Sequence, residues 1–309
     1  MQTVLGSTGQ IGTELARALR AHTDAVRLVS RNPKPVSPGD QCVAADLLDP
    51  EQTLHAVQGS STVYLTAGLP MDTRRWVEQW PVLMANVIAA CAAHDATLVF
   101  FDNTYMYPQT ATPQTEATPF APNGPQGLIR ARIAQALLDA MAAGRVRGLI
   151  ARAPEFYGPG ATQSVTNALV VDKLWAKTPA QILVRDDTLR TLIYTPDASR
   201  ALALLGNTPD TCGQTWHLPC DDNRLSYRDL VALAADVFGV PAAHQVRARW
   251  QLRLAGLFSQ TARDLAELLP RYGADNLFVS DRFKARFPEF QVTPLRAGLE
   301  AIRDERRAA

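Results

Sequence analysis

Near the start of the chain, Gly6-Ser7-Thr8-Gly9-Gln10-Ile11-Gly12 combines residue types and spacing suited to holding a phosphate. The segment follows a short apolar run, Thr3-Val4-Leu5, and opens an amphipathic stretch, Thr13-Glu14-Leu15-Ala16-Arg17-Ala18-Leu19. A strand, a glycine turn and a helix in that order form the context of a dinucleotide site. The turn must be tight, its backbone must approach a pyrophosphate, and the helix must pack close to the strand. Glycine permits all three, and the helix N-terminus offers unpaired N–H groups to an anion. Gly6, Thr8, Gly9, Gln10, Ile11 and Gly12 are therefore candidate cofactor-binding residues.

The next chemistry-bearing position is the end of the second strand. An acidic residue there, about 20 residues past the glycines, binds the ribose 2′-OH of NAD, whereas an arginine accommodates the 2′-phosphate of NADP. The chain reads Val29-Ser30-Arg31-Asn32-Pro33-Lys34 and carries no acid in reach. Arg31 can pair a phosphate bidentately and Ser30 can donate to it, which favours NADP over NAD. At Ala45-Asp46-Leu47, Asp46 can accept from an adenine amino group while Leu47 covers the ring. Asp46 can equally cap the helix that follows, and Asp49-Pro50-Glu51 also reads as a helix start. Thr66-Ala67-Gly68 is small enough for a nucleotide to lie against the backbone.

The elements that must position these residues alternate. Short apolar, partly β-branched runs at 25–30, 41–45, 62–66, 97–102 and 148–153 read as strands buried on both faces. Helical patterns lie between them, clearest at 76–93 and 126–143. Such alternation predicts an α/β fold: a doubly wound, Rossmann-type parallel sheet, with ligand outside the carboxyl ends of its strands. A Pro/Thr/Gln/Asn-rich segment, 108–125, reads as a long loop over the site. Beyond Gly160 the pattern loosens, with helices expected at 167–176, 196–205, 226–238 and 261–269 and short strands at 181–184 and 215–218. The division expected is a dinucleotide-binding domain over 1–155 and a smaller substrate lobe over 156–309, with returns to the main sheet.

At 309 residues the chain can bury a full core. A formal net charge of +1 gives no electrostatic footprint for nucleic acid or an anionic membrane. No apolar run approaches the roughly 18 residues that span a bilayer, and the first strand leaves no room for a cleavable signal. Cys42, Cys91, Cys212 and Cys220 show neither CxxC pairing nor zinc spacing and read as reduced thiols of a cytoplasmic protein. His22, His55, His94, His217 and His244 are scattered without metal spacing. Trp175, Trp216 and Trp250 read as core residues or as the lining of an aromatic pocket.

With these motifs the chain resembles the extended branch of the short-chain dehydrogenase/reductase superfamily, the epimerase/dehydratase-like proteins. The resemblance rests on Gly6-x-x-Gly9-x-x-Gly12, Asp46-Leu47, Phe101-Asp102-Asn103-Thr104-Tyr105-Met106-Tyr107 and Arg152-Ala153-Pro154-Glu155-Phe156-Tyr157-Gly158-Pro159-Gly160. Weaker echoes are Tyr194-Thr195-Pro196-Asp197 and the segment from Thr293 to Leu299. The resemblance implies a nicotinamide cofactor contacted also by Arg130 and Pro154, a small-molecule substrate, and a homodimer formed through the helix carrying Trp76 and Trp80.

That superfamily normally uses a Tyr-x-x-x-Lys pair on the helix after the fifth strand, plus a serine or threonine at that strand's end. By position Gln126 stands for the tyrosine, Arg130 for the lysine and Asn103 for the serine. Glutamine cannot trade a proton near neutral pH, so the usual mechanism is not available, as in the superfamily's atypical members. The replacement candidates are Asn103 as a carbonyl-polarising donor, Arg130 as a ribose contact, and Tyr105, Tyr107 or Tyr157 as a displaced phenol. Glu155 occupies a position where sugar-nucleotide enzymes commonly carry an asparagine. A carboxylate there disfavours a pyrophosphate substrate and can act as acid or base. Two functions follow: an NADP-dependent oxidoreductase or epimerase-like enzyme with a non-standard proton donor, or an NmrA-like, non-catalytic NADP-binding sensor.

Overall fold

The computed structural model describes residues 1–160, 162–257 and 260–308. In chain order the strands are β1 (Gln2–Leu5), β2 (Val26–Ser30), β3 (Gln41–Ala44), β4 (Thr62–Leu65), β5 (Thr97–Asp102), β6 (Gly148–Arg152), β7 (Glu155–Tyr157), β8 (Ala180–Leu183), β9 (Leu189–Arg190), β10 (Leu192–Tyr194), β11 (Thr215–His217), β12 (Leu225–Ser226) and β13 (His244–Arg247). The helices used below are α1 (Gln10–Leu19), α2 (Pro50–Val57), α3 (Thr73–Ala93), α4 (Pro125–Ala142), α5 (Asp172–Trp175), α6 (Thr195–Gly206) and α7 (Tyr227–Phe238).

Two compact units emerge. The first comprises 1–106, 125–153 and 198–218; the second comprises 107–124, 154–197 and 219–309. The first unit is built on a seven-stranded sheet in the order β11-β6-β5-β4-β1-β2-β3, every pair parallel. β1, β4 and the middle of β5 are buried on both faces, which is why their sequences are apolar runs rather than alternating patterns. The order reverses between β1 and β4, the switch point where open α/β sheets bind ligands.

Local chemistry sets the helix ends. Asp72 caps α3 by accepting from the backbone of Arg74 and Arg75, so the helix begins three residues earlier than its apolar periodicity suggests. Asp49 caps α2, with Pro50 in its first turn. Asp46 instead accepts from Leu48 N at 3.0 Å, so the alternative in which Asp46 caps α2 is excluded. The stretch expected as one helix over 167–176 is a π-helical turn, Asn167–Val171, followed by α5.

Among the described residues the strands of the second unit pair in short ladders: β7 with β10, β9 with β12, and β8 with β13. Residues 107–124 belong to this unit, where Gln114 bridges Phe278 in parallel register. No helix among the described residues is long and apolar enough to cross a membrane.

Candidate active site

The first unit gathers the glycine turn and three strand ends. Gly6 N and Ser7 N both donate to Val29 O, at 2.9 and 3.1 Å, fixing the turn against the end of β2. Ala45 N donates to Ser30 O and Thr66 N to Leu5 O, which brings the ends of β3 and β4 alongside.

The three glycines have distinct physical duties. Gly6 has φ +94°, and a Cβ there would lie 2.4 Å from Ala67 Cα. Gly12 is equally constrained, since its Cβ would lie 2.4 Å from Gly6 O. A Cβ on Gly9 would meet only Gly6 O, at an ordinary 3.4 Å. Gly6 and Gly12 are therefore required by the protein's own packing, whereas Gly9 leaves a backbone surface open to a ligand. No side chain caps α1, so its first-turn N–H groups remain available to an anion. Ser7 Oγ, in a residue 3 % exposed, has no hydrogen-bond partner among the described residues. This cradle fits a dinucleotide pyrophosphate.

Around the cradle, Arg31 is exposed and makes no ion pair among the described residues, while Ser30 Oγ is buried without a partner. Asp46 is half-buried with one carboxylate oxygen given to Leu48. Leu47 is buried, Thr66 hydrogen-bonds Leu5 O, and Gly68 is exposed. Pro154 belongs to the second unit.

At the end of β5, Asn103 Oδ1 accepts from Tyr105 N at 3.0 Å. That turn orients the Asn103 amide with its N–H₂ end uncommitted. Tyr105 stacks on Trp76, with centroids 6.1 Å apart and planes inclined by 15°. Gln126 is fully buried and donates through Nε2 to Thr73 Oγ1 at 3.0 Å, tethering α4 to the start of α3.

Arg130 departs from its expected role. It is 4 % exposed, and its Nε and Nη2 both donate to Asp102 Oδ1, while its guanidinium lies 4.6 Å over Trp80 and 5.2 Å over Phe100. Arg152 Nε takes the other Asp102 oxygen at 3.2 Å. Burial of the Asp102 carboxylate requires such partners, and they commit Arg130 to the interior rather than to a ribose.

In the second unit, the candidate acids and bases are also committed. Glu155 accepts from Arg190 Nη2 at 3.1 Å, from Thr166 Oγ1 at 2.6 Å and from the Tyr227 hydroxyl. Burial alone would raise its pKa, but the Arg190 guanidinium and these hydrogen bonds outweigh it and hold the carboxyl below its ordinary value. Glu155 is thus a structural ion pair, not a free acid or base. Tyr157 is 2 % exposed, and burial, with Asp197 and Tyr194 nearby, pushes its phenol well above the ordinary tyrosine value. Its hydroxyl occupies the space a Gly298 side chain would need. Tyr107 is fully buried beside Phe120, not at the mouth of a site.

The tryptophans are dispersed. Trp76 and Trp80 are 6 % and 2 % exposed and belong to the core, not to a helix surface that meets a partner. Trp216 is buried, Trp175 packs edge-on against Phe238, and Trp250 is 67 % exposed. Among the described residues no group of His, Cys, Asp and Glu is arranged to hold a metal. The Glu155–Arg190 pair and the Asp102–Arg130–Arg152 cluster were missed as units, since each joins residues distant in sequence.

Solved structures share this architecture. UDP-glucuronic acid 4-epimerase from Bacillus cereus, in complex with NAD, matches at TM-score 0.80 and 16 % identity, covering 100 % of this chain and 99 % of its own. UDP-glucose 4-epimerase from Thermus thermophilus, also with NAD, matches at 0.79 and 17 %, covering 100 % of both chains. A dTDP-glucose 4,6-dehydratase from Streptomyces venezuelae matches at 0.79 and 16 %, covering 99 % of this chain and 97 % of its own. No curated protein matches. The model of the NAD dependent epimerase/dehydratase family matches residues 2–218, more than half the chain, and the chain belongs to that family.

Proposed function

We propose that the protein is a nicotinamide-dinucleotide-dependent enzyme of the epimerase/dehydratase type acting on a small organic substrate. The observation that carries this reading is the glycine cradle: two glycines demanded by packing, one left open, and an uncapped helix N-terminus behind them. A bound nicotinamide supplies hydride acceptance and return. Ser7 and the first-turn amides of α1 bind the pyrophosphate, Asp46 and Leu47 hold the adenine, and Arg31 with Ser30 selects NADP. Structural relatives in complex with NAD set the alternative for that last choice. Asn103 orients and polarises the reacting oxygen through its amide, and Tyr105 moves the proton in place of the missing Tyr-x-x-x-Lys pair. The protein pairs with itself through exposed Val77 and Val82 of α3 and Leu128 of α4.

The test is calorimetric titration with NADPH and NADH, followed by stopped-flow detection of hydride exchange in wild type and in Asn103→Ala and Tyr105→Phe. Tight dinucleotide binding with exchange reduced at least tenfold in both variants supports the reading. A second reading, a dinucleotide-binding sensor, is favoured by one observation: Arg130, Glu155 and Tyr157 are all locked in the interior. Binding without any hydride exchange would select it.

A further inference from the structure

The second unit carries a helix whose apolar stripe is turned to solvent. α8 (Arg249–Ala255) follows β13, and its winding continues through Leu257: Gly256 N donates to Leu252 O at 3.0 Å and Leu257 N to Leu254 O at 3.1 Å. Residues four and seven apart share one helix face, which places Trp250, Leu254 and Leu257 on a single stripe. They are 67 %, 51 % and 69 % exposed, whereas Gln251 and Leu252 are half-buried and Gly256 is buried. Val246, in β13, adds another large apolar side chain exposed to solvent.

An amphipathic helix ordinarily turns its apolar stripe to the core. Here Gln251 is spent on the helix's own start, its Oε1 accepting from Ala248 N at 2.9 Å, while the indole and two leucines stay outside. Single exposed hydrophobic residues are normal, but a contiguous stripe marks an interaction surface.

The charges of the same segment are of one sign. Between Asp236 and Asp264 the sequence holds Arg247, Arg249, Arg253 and Arg263, and neither an acid nor a lysine. Asp264, which ends this run, is buried. Arg247 and Arg249 are exposed and make no ion pair among the described residues, and Arg247 Nε donates to the neutral Gln181 amide. The net charge of +1 averages over this segment and hides it.

Aliphatic side chains beside an indole, flanked by guanidinium groups without acidic partners, fit the interface of a bilayer with anionic headgroups. Leucines enter the acyl boundary, tryptophan sits at headgroup level and arginines meet lipid phosphates. The Gly256 side of the helix is packed on the protein, so the stripe is a shallow ridge rather than a free helix that a protein groove could enclose. Self-pairing about a two-fold axis would set each group of arginines against its own copy, which like-charge repulsion opposes.

We propose that this stripe docks the protein on an anionic membrane surface, with Trp250, Leu254 and Leu257 seated at the lipid interface and Arg247 and Arg249 on the headgroup phosphates. The contact is peripheral, lying along the interface rather than crossing the bilayer.

The test is co-sedimentation of the full chain with vesicles of phosphatidylcholine alone and of an equimolar phosphatidylcholine–phosphatidylglycerol mixture. Wild type should bind the mixed vesicles about tenfold or more tighter than the neutral ones, and raised salt should release it. Trp250→Ser and the double variant Leu254→Ser, Leu257→Ser should each weaken that binding about tenfold or more. Their melting temperatures should not change, because the replaced side chains are exposed. The double variant Arg247→Gln, Arg249→Gln should lose about tenfold or more on mixed vesicles and little on neutral ones. No binding to either vesicle, equal binding to both, or binding unaffected by the stripe variants would overturn the proposal. A dimer seen by light scattering and dissolved by Leu254→Ser, Leu257→Ser would overturn it by assigning the stripe to a second copy. Retention on immobilised polyglutamate without vesicle binding would overturn it in favour of an acidic protein partner.

Discussion

Arg130 donates from both Nε and Nη2 to a single oxygen of Asp102, and the other oxygen of that carboxylate takes Arg152. One carboxylate thus bridges β5, β6 and α4 beneath the end of the sheet. The arrangement reassigns Arg130 from ligand contact to positioning.

Arg130→Met should therefore destabilise the fold while leaving dinucleotide affinity within about twofold. Asp102→Leu should be more damaging, since it strands two buried guanidinium groups; a loss of about 3–5 kcal/mol is expected. Urea unfolding gives the first quantity and calorimetry the second. A large fall in affinity of folded Arg130→Met would return the residue to the ribose.

The glycine turn predicts a dissociation of effects. Gly9→Val should preserve stability within about 0.5 kcal/mol and abolish dinucleotide binding. Gly12→Ala should cost about 1–3 kcal/mol through its clash with the Gly6 carbonyl. Thermal melts and NADPH titration of both variants distinguish these outcomes, and normal binding by Gly9→Val would refute the cradle.

Cofactor choice rests on Arg31. Arg31→Ala should weaken NADPH about tenfold or more and leave NADH nearly unchanged, because a charge-assisted pair to a phosphate contributes about 1.5–3 kcal/mol. Equal wild-type affinities for the two cofactors would remove the basis for proposing NADP.

The Glu155–Arg190 pair gives a signed pH dependence. The folded-state pKa of Glu155 is depressed, so its contribution is fully present above the unfolded carboxyl value of about 4.3 and is lost as pH falls through the lower folded value. Glu155→Gln should cost about 3 kcal/mol at neutral pH by leaving Arg190 without its counter-charge. Its stability should then decline less than that of wild type as pH falls below about 4.3. Parallel slopes in melts across that range would contradict the pairing.

Tyr157→Phe should retain any hydride-exchange activity and should not destabilise the protein, because the hydroxyl has no partner among the described residues. Gly298→Ala should destabilise it, since the new methyl would lie 2.4 Å from that hydroxyl. Stopped-flow exchange rates and thermal melts check both, and loss of exchange in Tyr157→Phe would make the phenol catalytic.

The doubly wound parallel sheet and its glycine turn were legible from the sequence because both are local signals. Buried parallel strands read as short apolar runs, and a turn beneath a helix N-terminus requires glycines at fixed spacing. Asp49-Pro50 and the run from Ala25 to Ser30 carry their own structural meaning within a few residues. The fates of Arg130, Glu155 and Tyr157 were not legible in this way. Sequence position sets an arginine on the helix after β5 but does not say whether its guanidinium turns to a ligand or to Asp102, 28 residues away. Glu155 meets Arg190 and Tyr227 across 35 and 72 residues, and Gln114 meets Phe278 in an isolated bridge that no periodicity announces. Those choices belong to tertiary structure because the cost of burying a charge or an amide depends on which partners the completed fold brings to it.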